Sequence, residues 1–444
     1  MCQDTCLYNG GVTTLAIESS GLRRRYETIT LGSMYAGYAG LVLCQTALGI
    51  SSSSMIKDGS LTAAGYGDLV AYGAGGALLG KLTTGVLADR IGGRRMFLLA
   101  LSSMASVTVL FGATSVPALF MLLGFAAQFV KASGWPSFAK LISAWFDPAR
   151  YGRVWGIVST SSRASSVLSG LFLSTLLFWL SWHWLFYVAG TIAGLLVVGL
   201  YYSMREQPAD VGLSPPETSA LETSDASVQT WESTLMSSLA FFAGSAQVWL
   251  ICGAIMTLTL QMEFLSFLPQ YMNSTFEIDD AWAGIASSAF PAGSFIALLV
   301  GGVLFDKMPR HKLPLVLGSL LAVGLLSVAA LIALSGQETT SSVDLALAIA
   351  AIFVFGFSIS PVYYIPMSVF SIEFGRTRSG VLVGIIDAFG YGTVMVVAPL
   401  AGRLVQHMSD TGQGWIPFLT ALAGVSVVSL VLMPLFLTLQ ARSQ

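Results

Sequence analysis

The sequence has few charged residues, few cysteines and few histidines, and each shortage excludes a class of protein. Asp, Glu, Lys and Arg make up 10% of the 444 residues and the net charge is −2, so the overall charge does not indicate nucleic-acid binding. The four cysteines lack metal-ligand spacing, and the three histidines lie at the ends of apolar segments without a nearby nucleophile. A phosphate-binding P-loop is missing as well. We therefore expect no enzymatic activity, no metal, no cofactor and no direct use of ATP.

Apolar residues dominate the chain instead. They make up 55% of it and recur in runs of about 20 residues, each long enough to cross a hydrocarbon core of roughly 30 Å. The sequence predicts an all-α membrane protein with twelve transmembrane helices near residues 28–50, 64–88, 96–114, 117–145, 153–180, 183–203, 247–272, 282–304, 313–335, 344–371, 378–403 and 415–438.

A single long polar segment divides these spans six plus six. It is rich in Pro, Ser, Thr and acidic residues and has no apolar period, as is typical of a linker. We predict five parts: a cytosolic N-terminal segment at 1–26, a six-helix bundle at 27–204, a linker at 205–244, a second six-helix bundle at 245–438 and a tail at 439–444.

The basic residues between the spans predict the orientation. Most of them fall on one side of the membrane, and the opposite side has only Lys57 and Arg403. The basic side is therefore expected to be cytosolic and to hold both termini, in a membrane that the sequence does not identify. The residues on the basic side are Arg23 to Arg25, Arg90, Arg94, Arg95, Arg150, Arg153, Arg205, Lys307, Arg310, Lys312, Arg376, Arg378 and Arg442.

The two halves repeat one motif. The loop after the second span reads GVLADRIGGRRMF, and the loop after the eighth reads GGVLFDKMPRHKLPL. In both, glycines allow close helix approach, an Asp ends the helix and basic residues follow. A repeat six spans apart indicates two halves related by a pseudo-two-fold axis along the membrane normal.

The first copy of this loop, from Gly85 to Arg95, resembles the signature loop of the major facilitator superfamily. GWPSFAKLISAWFDPARYGRVWGIVSTSS, REQPADVGL and GKLTTGVLAD are also similar to its organophosphate:phosphate antiporter branch, which includes glycerol-3-phosphate and glucose-6-phosphate exchangers. The resemblance implies the facilitator fold and secondary transport by alternating access.

The sequence departs from that branch at its binding residues. The resemblance implies a phosphate-binding arginine in spans 1 and 7, but Cys44 or Gln45 and Gln261 occupy those positions, and Ser165 replaces a histidine of span 5. An amide cannot make the bidentate contact that an arginine makes with phosphate. The same resemblance makes Gln45, Gln261 and Ser165 candidate substrate contacts.

Several charges lie inside predicted spans, where they are costly and usually functional. Lys131 and Arg163 are expected near mid-membrane and to attract an anion, and Lys81 matches a lysine of the family. Glu263 and Asp387 are expected either to carry protons or to form a gate salt bridge. We expect the positive residues of the first half to face the negative residues of the second across one aqueous cavity. The alternative is that these charges form buried structural pairs.

Further candidates flank this group. Tyr363 and Tyr364 in span 10 are candidate substrate contacts. A charged set near the ends of spans 2 and 8 is expected to form a cytosolic gate, since charge pairs at helix ends can close one state and release it in another. The gate set is Asp89, Arg90, Arg94, Arg95, Asp306, Lys307 and Arg310.

The sequence therefore predicts a monomeric secondary transporter of a small organic anion, with a carboxylate favoured. Protons or a counter-anion would drive it, and its partners would be that solute and the lipid bilayer. Three alternatives stay open. Phosphate-ester exchange could use Lys131 and Arg163, a zwitterionic or cationic solute could use Glu263 and Asp387, and the chain could be a sensor or scaffold without transport.

Overall fold

The fold is that of a computed structural model, which describes residues 6–147, 150–214, 242–306, 308–336, 341–375 and 379–442. Within these ranges the chain forms fourteen α-helices and two short 3₁₀ turns and contains no strand. The 3₁₀ turns are Pro208–Val211 and Arg310–Lys312.

The helices divide into two sets of equal size. The first set is α1 (Cys6–Lys57), α2 (Ala63–Ile91), α3 (Gly93–Ala113), α4 (Pro117–Lys131), α5 (Gly134–Trp145), α6 (Tyr151–Leu176) and α7 (Trp182–Ser203). The second set is α8 (Ala246–Phe276), α9 (Asp280–Ser287), α10 (Ala289–Asp306), α11 (Leu313–Ser335), α12 (Ser342–Gly375), α13 (Ser379–Thr411) and α14 (Ile416–Arg442). The pairs α4–α5 and α9–α10 each fill one predicted span, so the all-helical membrane fold predicted from the sequence is confirmed.

Ten helical segments of the described chain are long and apolar enough to cross a membrane. The other two, α2 and α6, are 29 and 26 residues long but fall short in composition. Glycines and Lys81 dilute the apolar content of α2, and serines with Arg163 dilute that of α6. Both helices line the central cavity described below, where polar residues do not meet lipid.

The break between α4 and α5 has a local cause. Pro136 has no N–H, so the carbonyl four residues earlier, that of Ala132, loses its helical partner. The helix stops at Lys131 and restarts at Gly134, just before Trp135 and Pro136. The break therefore ends α4 on Lys131, and the exposed carbonyls of a helix C-terminus favour a positive charge.

The two halves pack most extensively through α2 and α13. Glycine makes this contact close: a Cβ on Gly67 would lie 2.5 Å from the carbonyl oxygen of Ala398 and 2.7 Å from the Cα of Gly402. Further contacts join α6 to α9 and α10, and α1 to α8.

We name the two ends of the bundle after residues located there. The Asp280 end carries the α1–α2 and α8–α9 connections, and the Arg94 end carries the α2–α3 and α5–α6 connections. At the Asp280 end, side chains of α1 bond to Asp280, and the Tyr66 hydroxyl donates to the carbonyl of Ser266 at 3.0 Å. These contacts cross between the halves, so they close the cavity at that end.

At the Arg94 end, the side-chain hydrogen bonds of the described first-half residues stay within that half or reach the linker. The Arg150 guanidinium pairs with Glu27 at 2.7 Å. The Glu206 carboxylate accepts the backbone N–H groups of Gly93 at 2.6 Å and Arg94 at 3.1 Å, which holds the start of the linker against the N-terminus of α3.

Candidate functional site

A cavity of about 990 Å³ lies between the two halves. Among its described lining residues, three are cationic and two are carboxylates. The three cations come from the first half and both carboxylates come from the second. These five are Lys81, Lys131, Arg163, Glu263 and Asp387.

Lys81 and Asp387 form an ion pair that crosses from α2 to α13. The Asp387 side chain is 8% exposed, and the Lys81 ammonium also lies 4.8 Å from the ring centroid of Tyr391, one helical turn after Asp387. Of the two roles predicted for Asp387, the geometry matches a salt bridge between halves.

Lys131 projects into the cavity from the last residue of α4. Its ammonium donates a hydrogen bond to the Oε1 atom of Gln45 on α1, which is its one hydrogen-bond partner among the described residues. An ammonium has three donors and Gln45 takes one, so donors remain for a ligand.

Arg163 lines the same wall from the middle of α6. Its guanidinium carbon lies 4.4 Å from the ring centroid of Tyr364 on α12. No hydrogen bond or ion pair joins it to any residue that the structure describes. The ring supports the face of the guanidinium, while its planar N–H donors can bind a carboxylate through two parallel bonds.

Glu263 lines the opposite wall from α8. The Ser266 hydroxyl, one turn later, donates to its carboxylate at 3.1 Å. Within the described chain no cation forms an ion pair with Glu263. The two acids of the cavity therefore differ: Asp387 has a cation at contact and Glu263 does not.

Gln45, Tyr363 and Tyr364 all line the cavity, but two other predicted contacts do not. Gln261 is buried between α8 and α14, where its amide nitrogen donates to Ser429 and its oxygen accepts from Ser426. Ser165 is buried within the first half, and its neighbours in α6 face the cavity instead. One step along a helix turns a side chain by about 100°, which explains why both positions point elsewhere.

The predicted gate set is only partly described. Lys307 and the side chains of Asp89, Asp306 and Arg310 lie outside the described residues. Arg90 and Arg95 are exposed.

Arg94, the remaining member of the gate set, bonds within its own half. Its guanidinium donates to the carbonyls of Met204 at 2.9 Å and Tyr201 at 2.7 Å, at the C-terminus of α7. In this conformation Arg94 therefore joins α3 to α7. A role in the gate stays a prediction.

Sequence reasoning missed two features of the site. Tyr391 faces Lys81, and its spacing of four residues from Asp387 could have indicated a shared helix face. Asp280 was also missed, because its partners on α1 lie more than 200 residues away in the chain and no local pattern marks them. No group of three His, Cys, Asp or Glu side chains suited to a metal occurs in the described ranges.

Comparison with known proteins adds family evidence. A family model described as Major Facilitator Superfamily matches residues 32–399. The membrane sensor protein UhpC of Salmonella typhimurium is 25% identical over 298 residues, which cover 64% of this chain and 65% of that protein. The chain therefore aligns with less than two thirds of this relative.

Two transporters and one solved structure are also similar. The probable nitrate/nitrite transporter NarK2 of Mycobacterium tuberculosis is 28% identical, with 64% of this chain and 67% of that protein covered. The probable galactarate/D-glucarate transporter GudP of Escherichia coli is 21% identical, with 62% of this chain and 67% of that protein covered. The structure of the nucleoside transporter NupG superposes with a TM-score of 0.71 at 14% identity, covering 92% of this chain and 98% of that one.

Proposed function

The chain belongs to the major facilitator superfamily, and from this premise we propose that it is a secondary active transporter of a small organic anion bearing a carboxylate. The cavity between the halves would hold the solute, and rocking of the halves would expose it to each side in turn. The observation that carries this proposal is Arg163, a guanidinium in the cavity wall with no carboxylate partner among the described residues.

Arg163 and Lys131 together supply the anion subsite. Both line the first-half wall, and neither forms an ion pair with a described residue. Each charge-assisted hydrogen bond to a bound carboxylate is worth about 1.5–3 kcal/mol. Because protein surrounds the subsite on several sides, the local dielectric constant is lower than at an open surface, and these bonds are stronger there.

A carboxylate suits this subsite better than a phosphate ester. One guanidinium can bind one planar carboxylate through two bonds, and the Lys131 ammonium, already bonded to Gln45, adds a point charge. One relative is named for galactarate and D-glucarate, whose carboxylate groups are planar. Another is named for nitrate and nitrite, which are planar anions themselves. Phosphate-ester exchange remains the alternative in which Lys131 and Arg163 replace the two family arginines.

Two other candidates each have one supporting observation. Glu263 lacks a described ion-pair partner, which favours a solute that also carries a cationic group. The similarity to UhpC, named a membrane sensor, favours a chain that binds the anion without moving it. Under every candidate the same cavity holds the ligand.

Energy for transport would come from protons or from exchange against a second anion, with Glu263 and Asp387 as candidate coupling or gate groups. By the positive-inside rule the Arg94 end would face the cytosol, with both termini on that side. The transporter would act as a monomer, since one chain supplies both walls of the cavity.

Uptake into proteoliposomes tests the proposal. Labelled D-glucarate, glucose 6-phosphate and nitrate are each supplied with and without an inward proton gradient. We expect D-glucarate to accumulate, and Arg163→Ala to raise the concentration for half-maximal uptake roughly tenfold to a hundredfold, as about 1.5–3 kcal/mol requires. Arg163→Lys should fall between the two, because it keeps the charge but loses the two-bond geometry.

Arg153→Ala is the matched control, because Arg153 is an exposed arginine of the same helix outside the cavity lining. Unchanged D-glucarate uptake in Arg163→Ala would refute the anion subsite. Uptake of glucose 6-phosphate alone would favour the phosphate-ester alternative. Tight D-glucarate binding without uptake would favour the sensor.

A further inference from the structure

The two cavity carboxylates differ in their charged neighbours. Asp387 has an ion-pair partner in Lys81. Glu263 has one described hydrogen bond, from Ser266 on its own helix, and no ion pair. A partly buried carboxylate without a contacting cation is costly to keep charged. Glu263 has no such cation among the described residues, so of the two carboxylates it is the candidate to bind a proton.

The titratable groups around Glu263 come from several other helices. Tyr66 of α2 and Tyr391 of α13 line the same cavity, and the Ser266 hydroxyl donates to the Glu263 carboxylate. Lys131 of α4 also lines the cavity and forms no ion pair with Glu263. Its positive potential therefore acts on the Glu263 carboxylate through the cavity and not through a direct contact.

We propose that Glu263 is the proton-binding residue of the transporter and that anion binding at Lys131 and Arg163 drives its protonation. This inference rests on the proposed function, because it needs an anion in that subsite. A bound carboxylate cancels the potential of Lys131, so Glu263 takes one proton from water and becomes a carboxylic acid. Reciprocity then requires a protonated Glu263 to bind the anion more tightly.

The same reasoning gives Asp387 a different role. Its charge is neutralised by Lys81 whether or not the anion is present, and the pair joins α2 to α13. Asp387 is therefore a positioning residue that holds the two walls of the cavity together.

Infrared spectroscopy of the purified full chain tests the assignment without a substrate. We expect a carbonyl band of a protonated carboxylic acid to appear on acidification in the parent protein, with a residue-specific component missing in Glu263→Gln. Asp387→Asn should keep that component. Glu277→Gln is the matched control, because Glu277 is the exposed C-cap of the same helix.

Loss of the component in Asp387→Asn and its persistence in Glu263→Gln would overturn the assignment. If Asp387→Asn does not fold, the double variant Lys81→Met/Asp387→Asn removes both charges of the pair and gives the same readout. Amide bands in the same spectra report whether each variant is folded.

Proteoliposomes loaded with D-glucarate provide the transport arm. Glu263→Gln should still exchange internal for external D-glucarate but should lose accumulation driven by an inward proton gradient. Retained proton-driven accumulation would overturn the inference. If no variant moves D-glucarate, the proposed substrate is wrong, and the infrared result still decides whether Glu263 binds a proton.

Discussion

Asp280 is expected to hold the cavity shut at its own end. Its carboxylate accepts hydrogen bonds from Ser53 at 2.9 Å, Ser54 at 2.6 Å and Lys57 at 2.8 Å, all on α1. It also accepts from Asn273 of its own half at 2.9 Å. The first three bonds cross between the halves, so they must break when this end opens. Asp280→Ala removes them together.

The size of the effect follows from the exposure of the partners. Lys57 is 52% exposed, so its ion pair contributes at most about 1 kcal/mol. The two serine hydroxyls donate to a carboxylate that is 19% exposed. At about 1.5 kcal/mol for each hydrogen bond to a charged group, the two bonds together contribute about 3 kcal/mol. A change of this size shifts the ratio of closed to open molecules roughly a hundredfold.

Labelling of a single cysteine measures this shift. In a cysteine-free background, Ser288→Cys places a thiol at a buried position of the cavity lining, facing Gly170 of the other half. A membrane-impermeant maleimide is added to the face where the Asp280 end lies. We expect Asp280→Ala to increase the labelling rate by about a hundredfold.

The neighbouring residue provides the control. Asp279 is exposed and its side chain makes no capping hydrogen bond, so Asp279→Ala removes an equal charge without touching the contacts to α1. Asp280→Asn should give an intermediate rate, because the amide oxygen still accepts. Equal labelling of the Asp279→Ala and Asp280→Ala variants would refute the reasoning.

Three further outcomes are expected. Gln45→Ala should weaken D-glucarate uptake with little change in the melting temperature. Gln261→Ala should instead lower the free energy of unfolding by about 2–4 kcal/mol, because it removes a buried, hydrogen-bonded side chain. Gly67→Val should lower the melting temperature in detergent, since its Cβ would lie 2.5 Å from a backbone oxygen of α13, while Gly85→Ala, with no heavy atom within 4 Å, should not. Tyr364→Leu should raise the D-glucarate concentration for half-maximal uptake several-fold by removing about 0.5–2 kcal/mol of support for the guanidinium, and unchanged uptake kinetics would contradict that contact.

The membrane fold could be predicted because its signals are local. An apolar run of sufficient length predicts a spanning helix wherever its neighbours lie. Even α2 was predicted as a span despite Lys81, since glycines and leucines surround the charge. The break at Pro136 is equally local, because the missing N–H affects only the preceding turn.

The site could be predicted only in part, because side-chain direction and pairing are not local. Resemblance placed Gln261 and Ser165 among the binding residues, but the structure turns Gln261 toward α14 and buries Ser165 within its own half. The charged residues of the cavity could be predicted, because each of them interrupts a predicted apolar span. Which acid pairs with which base was not, since Lys81 and Asp387 are 306 residues apart.

The positions of the cross-half contacts indicate which of them the proposed alternating access would break. When two rigid halves rock about a central site, displacement grows with distance from the axis. Lys81 lies four residues from Ala77, the middle residue of α2, which is about 6 Å along the helix. The Lys81–Asp387 pair can therefore persist while the halves move. The contacts of Asp280 and the Asp68–Arg403 pair at 3.3 Å lie at one end and must separate. Opening that end thus costs free energy chiefly at Asp280, where the hydrogen bonds are short and their acceptor is shielded from solvent.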